Sequence, residues 1–142
     1  MTSYDTDNIF AKILRGEIPS FKVYENDHTF AFLDIMPRSP GHTLVIPKAP
    51  ARNLLDISAE DFAHVARATR LIGRAAMQAF KADGMTIMQF SEPASGQEVY
   101  HLHMHVIPCF DGVALLPPAT HKADFKILEG QAASLIAALK GA

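Results

Sequence analysis

The sequence has little cysteine, little net charge and no long apolar run. Its 142 residues include one cysteine, Cys109, which excludes an intrachain disulfide and fits a reducing compartment. The net charge of −2 offers no basic surface to a nucleic-acid backbone, although a small phosphorylated ligand needs only a local site. No stretch resembles a signal peptide or membrane span. We therefore expect one cytoplasmic domain with neither nucleic acid nor a membrane as a partner.

The most regular pattern lies between Tyr100 and Pro108. His101, His103 and His105 alternate with aromatic or apolar residues, and alternation with a period of two is typical of a β-strand. On a strand the three imidazoles would lie in a row on one face, while the other residues pack on a core. Pro108 has no backbone N–H, so we expect it to end the strand.

Three histidines in such a row admit three interpretations. They can be ordinary core or surface histidines, which is the usual explanation for one histidine but is disfavoured for three in strict alternation. They can share a catalytic task as nucleophile, tautomer-fixing partner and proton donor. They can also bind zinc, because a His-x-His pair on a strand presents two nitrogens to one metal.

Amphipathic periodicity predicts helices around this segment. A short helix begins at Asp7 or Asn8 and stops at Gly16, and a long one runs from Ser58 to about residue 82, with Gly84 as its left-handed stop. A C-terminal helix is indicated by apolar residues at helical spacing, namely Phe125, Leu128, Ala132, Leu135, Ile136 and Leu139. Strands are predicted at 21–25, 29–34, 42–47 and 85–90, the first two forming a hairpin.

Two polar features adjoin the predicted strands. Asp34 ends the second strand, where it can cap the proline-rich turn that follows or accept hydrogen bonds from the vicinal hydroxyls of a ribose. The pattern does not separate these two roles. The loop from Ser91 to Gln97 is rich in small residues and directly precedes the histidines, so its backbone N–H groups could approach a phosphate.

The His-x-His-x-His run followed by Val106 and Ile107 resembles the histidine triad (HIT) nucleotide-binding family, in particular its small Hint-like nucleoside phosphoramidases. Blocks at 9–13, 31–35, 41–48 and 96–99 resemble the family in the same order. The resemblance implies a HIT domain at 8–108. The polar residues before it predict a flexible N-terminus at 1–7, and the amphipathic pattern after it predicts a C-terminal extension at 109–142 whose helix packs on the same domain.

By this resemblance the fold is α+β: a five-stranded antiparallel sheet with a short N-terminal helix, one long helix and a C-terminal helix. Two copies are expected to form a homodimer with one continuous sheet. The implied catalytic residues are the nucleophile His103, with His101 and His105 orienting it or contacting phosphate, and the nearby His42. The implied nucleotide-binding residues are Phe10, Ile13, Phe32 and Ile35 at the base, Asp34 at the ribose, and Ser91, Gly96, Gln97 and Val99 at the phosphates.

The implied reaction is hydrolysis of purine nucleoside 5'-monophosphate conjugates, such as phosphoramidates of AMP or GMP, through a nucleotidyl-histidine intermediate. A dinucleoside polyphosphate hydrolase, a weakly catalytic nucleotide-sensing dimer and a zinc hydrolase are the alternatives. Glu98 stands where many relatives carry Ser or Thr, and it could act as an acid or repel phosphate. Asn8 and Ala11 stand where some relatives hold structural zinc with two cysteines, so we expect no structural zinc. The implied reaction needs no metal, and we expect no cofactor.

Overall fold

A computed structural model describes residues 3–141 and has the expected α+β architecture. A short 3₁₀ turn, Pro93–Ser95, precedes the last strand. The elements follow the order α1 (Ile9–Leu14), β1 (Lys22–Glu25), β2 (Thr29–Leu33), β3 (Thr43–Pro47), α2 (Ala59–Phe80), β4 (Gly84–Met88), β5 (Met104–Cys109) and α3 (Phe125–Lys140). The predicted fold class is confirmed, with a five-stranded antiparallel sheet and a short, a long and a C-terminal helix.

The sheet has the strand order β1-β2-β3-β5-β4, so β1 and β4 form its edges. The predicted hairpin joins β1 and β2. Its turn is closed by the Asn26 side chain, whose Oδ1 accepts hydrogen bonds from the backbone N–H groups of His28 and Thr29. This local bond fixes the register of the two strands, because a short polar side chain replaces a backbone turn bond.

The two faces of the sheet are covered differently. Ala31 and Leu33 of β2 belong to the main core, which also contains buried residues of α2 and α3. The alternate residues Phe30 and Phe32 point to the other face, where they pack with Phe10 of α1. Because α1 has only six residues, it covers part of that face and leaves room for a cavity.

Helix α2 begins as predicted but ends differently. The Ser58 hydroxyl caps its N-terminus by accepting a hydrogen bond from the backbone N–H of Asp61. The prediction that Gly84 provides the left-handed stop is wrong, because Lys81 adopts that conformation with φ of 52°. Gly84 is instead the first residue of β4. The helix therefore ends early enough for residues 84–88 to form the edge strand.

The histidine-containing strand also differs from the prediction. Strand β5 begins at Met104, so His101 and His103 precede it. Pro108 lies inside the strand, opposite Met85 of β4, and does not end it. Pairing with β3 stops at Val106, so β5 is locally an edge strand at Pro108, where a missing backbone donor is tolerated.

The two ends of the chain both contact the region around the histidines. Residues 1–2, part of the segment expected to be flexible, lie outside the described residues, but Tyr4 hydrogen-bonds to His101. Beyond β5 the chain returns to the turn after β2, where the backbone N–H of Ala123 donates to the carbonyl of Ile35. Helix α3 packs on α2 and β1. None of the helices within residues 3–141 has both the length and the apolar character of a membrane span.

Candidate active site

A cavity of about 640 Å³ opens on the face of the sheet that α1 leaves uncovered. Ten of the predicted site residues line it: Phe10, Ile13, Phe32, Asp34, Ile35, His42, Gly96, Val99, His103 and His105. Three predicted residues, Ser91, Gln97 and His101, are not part of its lining. The structure thus brings most of the predicted residues from separate elements to one place.

His101 is buried and turned away from the cavity. Its Nε2 lies 2.8 Å from the carbonyl oxygen of Pro47, which can only accept, so Nε2 carries the proton. Its Nδ1 lies 2.6 Å from the hydroxyl of Tyr4, which donates to it. Burial lowers the pKa of His101 to about 4. Both ring nitrogens are therefore occupied, and the ring cannot contact a ligand in the cavity.

His103 has the opposite arrangement. Its Nδ1 lies 2.7 Å from the carbonyl oxygen of His101, so Nδ1 carries the proton and Nε2 keeps a free electron pair. The edge-to-face contact with Phe10, at 4.9 Å between ring centroids, fixes the ring plane. Burial lowers the pKa of His103 below its usual value, so the ring is neutral near pH 7. A neutral imidazole with a free electron pair is a nucleophile.

His42 and His105 are linked by a directed hydrogen bond. The backbone N–H of Arg38 donates to Nδ1 of His42 at 3.0 Å, so the proton of this neutral ring is on Nε2. That Nε2 lies 3.0 Å from Nδ1 of His105 and donates to it, which puts the His105 proton on Nε2. Burial is the main cause that lowers the pKa of His42 to about 4 and of His105 to about 3. His105 is therefore a hydrogen-bond donor in the wall of the cavity.

Asp34 fulfils one of its two predicted roles and is placed for the other. Its Oδ1 accepts a hydrogen bond from the backbone N–H of Met36 and so caps the turn after β2. Its Oδ2 lies 3.7 Å from Nε2 of His42, and the side chain lines the cavity with 21% of its surface exposed. Desolvation raises the pKa of Asp34 above its ordinary value. The second oxygen remains free to accept a bond from a ligand.

The aromatic half of the cavity, defined as Phe10, Ile13, Phe32 and Leu44, comes from regular elements. Phe10 lies on α1, Phe32 on β2 and Leu44 on β3. The rings of Phe10 and Phe32 meet edge to face, with 5.3 Å between their centroids. Asn8 caps α1 by accepting a hydrogen bond from Ala11 N–H, so the two positions where some relatives carry cysteines form a helix cap here.

The loop half, defined as Phe90, Ser95, Gly96, Glu98, Pro118 and Ala119, comes from irregular segments. Phe90 contacts His105 edge to face at 5.6 Å between centroids. Pro118 and Ala119 reach the cavity because the preceding Leu116 exchanges two hydrogen bonds with Arg38: its N–H donates to the Arg38 carbonyl and its carbonyl accepts from Arg38 Nε, both at 2.8 Å. The sequence did not predict that Pro118 and Ala119 line the cavity. The bonds that bring them there use backbone atoms of Leu116, which no side-chain pattern reveals.

Gln97 lies beneath the loop and its side chain makes four hydrogen bonds there. Its Oε1 accepts from the backbone N–H of Glu92 and from Asn53 Nδ2, and its Nε2 donates to the carbonyls of Arg52 and Val99. The side chain is therefore fully used inside the protein. Ser91 hydrogen-bonds with Gln89 at the start of the same loop. Both residues are placed to shape the loop more directly than to contact a ligand.

The glycine before His42 is required by a close approach. Gly41 has φ of +83°, and a Cβ atom there would lie 2.4 Å from the Phe80 ring at the end of α2. Only glycine adopts this conformation without strain and leaves space for the ring. Gly41 thus lets the chain turn under α2 and bring His42 to the cavity side of the sheet.

Ligand atoms of Asp34, His42 and His105 lie within 4.8 Å of one another, which is close enough for one metal ion. A metal on Nε2 of His42 would require the ring proton on Nδ1. That proton would then point at the N–H of Arg38, which now donates to Nδ1. Two donors would face each other, so the hydrogen bonds around His42 do not fit a metal ligand.

Comparisons with known proteins agree with this geometry. The family model described as HIT domain matches residues 15–112. The chain is 37% identical over 140 residues to adenosine 5'-monophosphoramidase HNT1 of Saccharomyces cerevisiae, covering 96% of this chain and 85% of that protein.

Two solved structures have the same fold. A Hit-like protein of Bartonella henselae, described as involved in cell-cycle regulation, is 52% identical with a TM-score of 0.93 and covers 96% of this chain and 99% of that one. A hypothetical histidine triad nucleotide-binding protein of Sulfolobus tokodaii is 29% identical with a TM-score of 0.85, covering 93% and 91%. With His42, His103 and His105 at the cavity and the family model spanning the sheet, this chain belongs to the HIT family.

Proposed function

We propose that this protein is a nucleotidyl hydrolase that cleaves purine nucleoside 5'-monophosphate conjugates of the phosphoramidate type through a covalent intermediate on His103. One observation carries the proposal. Two neutral imidazoles line the same cavity as opposite tautomers, with 5.0 Å between their ring centroids. His103 has a free electron pair on Nε2 and His105 carries a proton on Nε2. Attack on phosphorus and stabilisation of the developing charge need this pair.

The nucleotide is proposed to lie across the two halves of the cavity. Its base packs in the aromatic half between Phe10, Ile13 and Phe32, with Ile35 beside it, because large apolar side chains accommodate a purine. Asp34 accepts from the ribose hydroxyls through its free Oδ2. The α-phosphate lies between the histidines and the backbone at Gly96 and Val99, while Ser91 and Gln97 act through the shape of the loop.

In the first proposed step, His103 Nε2 attacks the α-phosphorus and forms an N–P bond. The bond from phosphorus to the leaving nitrogen breaks, and that nitrogen keeps the electron pair and takes one proton from water at the cavity mouth. His105 Nε2–H donates a hydrogen bond to a phosphoryl oxygen, which stabilises charge in the transition state. In the second step water attacks phosphorus, His103 regains its electron pair, and one proton returns to solvent. The sum is conjugate plus water giving monophosphate plus amine.

A dinucleoside polyphosphate is the second candidate substrate, and Glu98 disfavours it. Glu98 lines the same cavity as His103 and His105. A carboxylate there repels a leaving group that carries several phosphates more strongly than it repels an amine. The yeast relative, whose name describes an adenosine 5'-monophosphoramidase, supports the same order of preference.

The test is intact-protein mass spectrometry after mixing with a slowly hydrolysed adenosine phosphoramidate. We expect a mass increase of one adenylyl group on the wild-type protein and none on His103→Ala, which still binds AMP by calorimetry but has no turnover. AMP binding without any adduct or hydrolysis would instead identify a nucleotide-sensing protein. Faster hydrolysis of diadenosine polyphosphates than of phosphoramidates would support the second candidate.

We also propose that two copies form a homodimer through β4 and α2, and that the protein acts in the cytoplasm. Strand β4 is a sheet edge, and beside it lies an apolar groove of about 460 Å³ lined in part by Gly73, Met77, Met85 and Ile87. Pairing of two β4 edges would cover this groove and extend the sheet. Light scattering should show a dimer that Gly73→Glu converts to a monomer; a monomeric wild-type protein would reject the proposal.

A further inference from the structure

We propose that Arg52 and Asn53, which do not contact the cavity, are positioning residues for the phosphate loop, defined as residues 92–99. This proposal rests on the proposed function, because it concerns how that loop meets the phosphate. Both residues lie in the connection between β3 and α2 and are buried. Arg52 has 6% of its surface exposed, and Asn53 has none. No side chain of this connection lines the cavity.

The phosphate loop begins with a strained residue. Glu92 has φ of 73° and ψ of 158°, a backbone region that residues with a Cβ atom adopt rarely. Strain of this kind persists only where the surroundings hold the backbone in place. Gly96, with φ of +105°, is the second residue of the loop with a positive φ. The shape of the loop therefore depends on contacts from outside it.

Arg52 and Asn53 supply those contacts to the Glu92 carboxylate. Arg52 donates from Nε to Oε2 at 2.8 Å and from Nη2 to Oε1 at 3.1 Å, which is the bidentate pairing of a guanidinium with a carboxylate. Asn53 Nδ2 donates to the same Oε2 at 2.5 Å. The guanidinium also lies over the Tyr100 ring, 4.1 Å from its centroid. Charge, hydrogen bonds and stacking thus hold one strained residue.

The same connection reaches the end of the loop and the histidines. Asn53 also donates to Gln97 Oε1, and the Arg52 carbonyl accepts from Gln97 Nε2. One residue earlier, the carbonyl of Ala51 accepts from the backbone N–H of Leu102, between His101 and His103. The distance between the loop N–H groups and His103 is therefore set by residues 51–53.

This arrangement predicts a change in rate more than in binding. The base and ribose contacts of the proposed complex come from α1, β2 and Asp34, which Arg52 does not touch. A displaced phosphate loop loses contacts that are needed when charge develops on the phosphate, so kcat falls while nucleotide affinity stays. A displacement on the order of 1 Å can reduce the rate by about 100-fold.

The primary variant is Arg52→Lys, which keeps the positive charge but loses the bidentate pairing and the planar stacking on Tyr100. We expect kcat for an adenosine phosphoramidate to fall by about 100-fold, with the Kd for AMP within about twofold of wild type. Glu25→Gln is the matched control, because it removes the partner of Lys22 and Lys48 on β1, an edge strand that β2 and β3 separate from β5. It should leave kcat unchanged.

Two further measurements keep the proposal falsifiable. Glu92→Gly relieves the backbone strain but removes the carboxylate, and it should also be slow; wild-type kcat in this variant would overturn the proposal. Hydrogen exchange at residues 92–99 should become faster in Arg52→Lys while α2 and the central strands stay protected. Unchanged exchange would reject the positioning role, even if the wild-type protein turned over no conjugate. Failure of the proposed function would instead appear as a wild-type protein with neither turnover nor adduct.

Discussion

The two halves of the cavity are built in different ways. The aromatic half consists of side chains on α1, β2 and β3, each held by the hydrogen bonds of its own helix or strand. The loop half consists of segments without regular structure, held by side chains such as Arg52, Asn53, Gln97 and Arg38. Substitutions in the aromatic half should therefore act by changing side-chain packing. Substitutions in the loop half should act by moving the backbone.

The largest effect is expected in the aromatic half, from Phe10→Ala. The ring is buried against Phe32 and His103, so its removal should destabilise the protein by about 3–5 kcal/mol. AMP affinity should fall at least as much as kcat, because the lost surface contacts the base in the ground state and the transition state alike. His103 loses its contact with Phe10 but keeps the hydrogen bond from Nδ1 to the His101 carbonyl. Urea denaturation and calorimetry measure the two losses. A kcat loss that exceeds the loss of affinity would contradict this assignment.

The buried histidines in and behind the cavity wall should make the folded state less stable in acid. His42, His101 and His105 have folded pKa values of about 3 to 4, whereas an unfolded histidine titrates near 6.5. The unfolded chain therefore binds more protons as pH falls below about 6.5, and the stabilisation present above that pH is lost progressively towards pH 4.

Urea denaturation at several pH values should show a free energy of unfolding that falls by about 2 kcal/mol or more between pH 7 and 5. His105→Gln should reduce this slope, because it removes one of the three groups. Equal stability at pH 7 and 5 would show that these rings do not stay neutral in the folded protein.

In the loop half, Gly96→Ala tests backbone position without a steric change. A Cβ atom there would lie 3.8 Å from Phe90, which is ordinary contact, so the cost comes only from φ of +105°. We expect kcat to fall by about tenfold for a strain of about 1–2 kcal/mol, with AMP affinity unchanged. Gly112→Ala is the matched control, with φ of +75° and no atom near its Cβ. It should lower stability but keep kcat, and equal kcat in both variants would contradict the difference between the halves.

The smallest effect is expected from Glu98→Ser, which removes a charge from the cavity wall. Hydrolysis of diadenosine polyphosphate relative to phosphoramidate should rise by about fivefold at low salt and less at high salt, because screening weakens an exposed charge. Competition assays at two salt concentrations measure this ratio. A ratio that does not change would place the leaving group away from Glu98.

The aromatic half and the regular elements were predictable because side-chain periodicity reports burial. Phe30 and Phe32 alternate with Ala31 and Leu33 between the two faces, and His105 follows the same rule on β5. Side-chain alternation did not predict the orientation of His101, because the strand begins only at Met104 and no neighbouring strand fixes the residues before it. The sequence pattern alone did not decide whether Asp34 caps a turn or binds a ribose. The ribose role was predicted only from the resemblance to the family.

The loop half was not predictable in the same way. Gln97 was expected at the phosphates, yet its four hydrogen bonds lie beneath the loop, and no periodicity reveals bonds between a side chain and distant backbone atoms. Pro118 and Ala119 reach the cavity through a backbone pairing with Arg38 that any residue at position 116 except proline could make. The left-handed stop at Lys81 replaced an expected glycine for a similar reason, since the strand after α2 required an earlier end.

The protons of the histidine cluster are assigned by the main chain: the carbonyls of Pro47 and His101 and the N–H of Arg38. Every residue, proline included, offers the carbonyl, and every residue except proline offers the N–H. Substitutions at positions 38 and 47, other than proline at 38, should therefore leave the basic nitrogen of each histidine unchanged, and a substitution at 101 would keep the carbonyl that binds His103. The conformation of the backbone therefore determines which nitrogen of each histidine is basic.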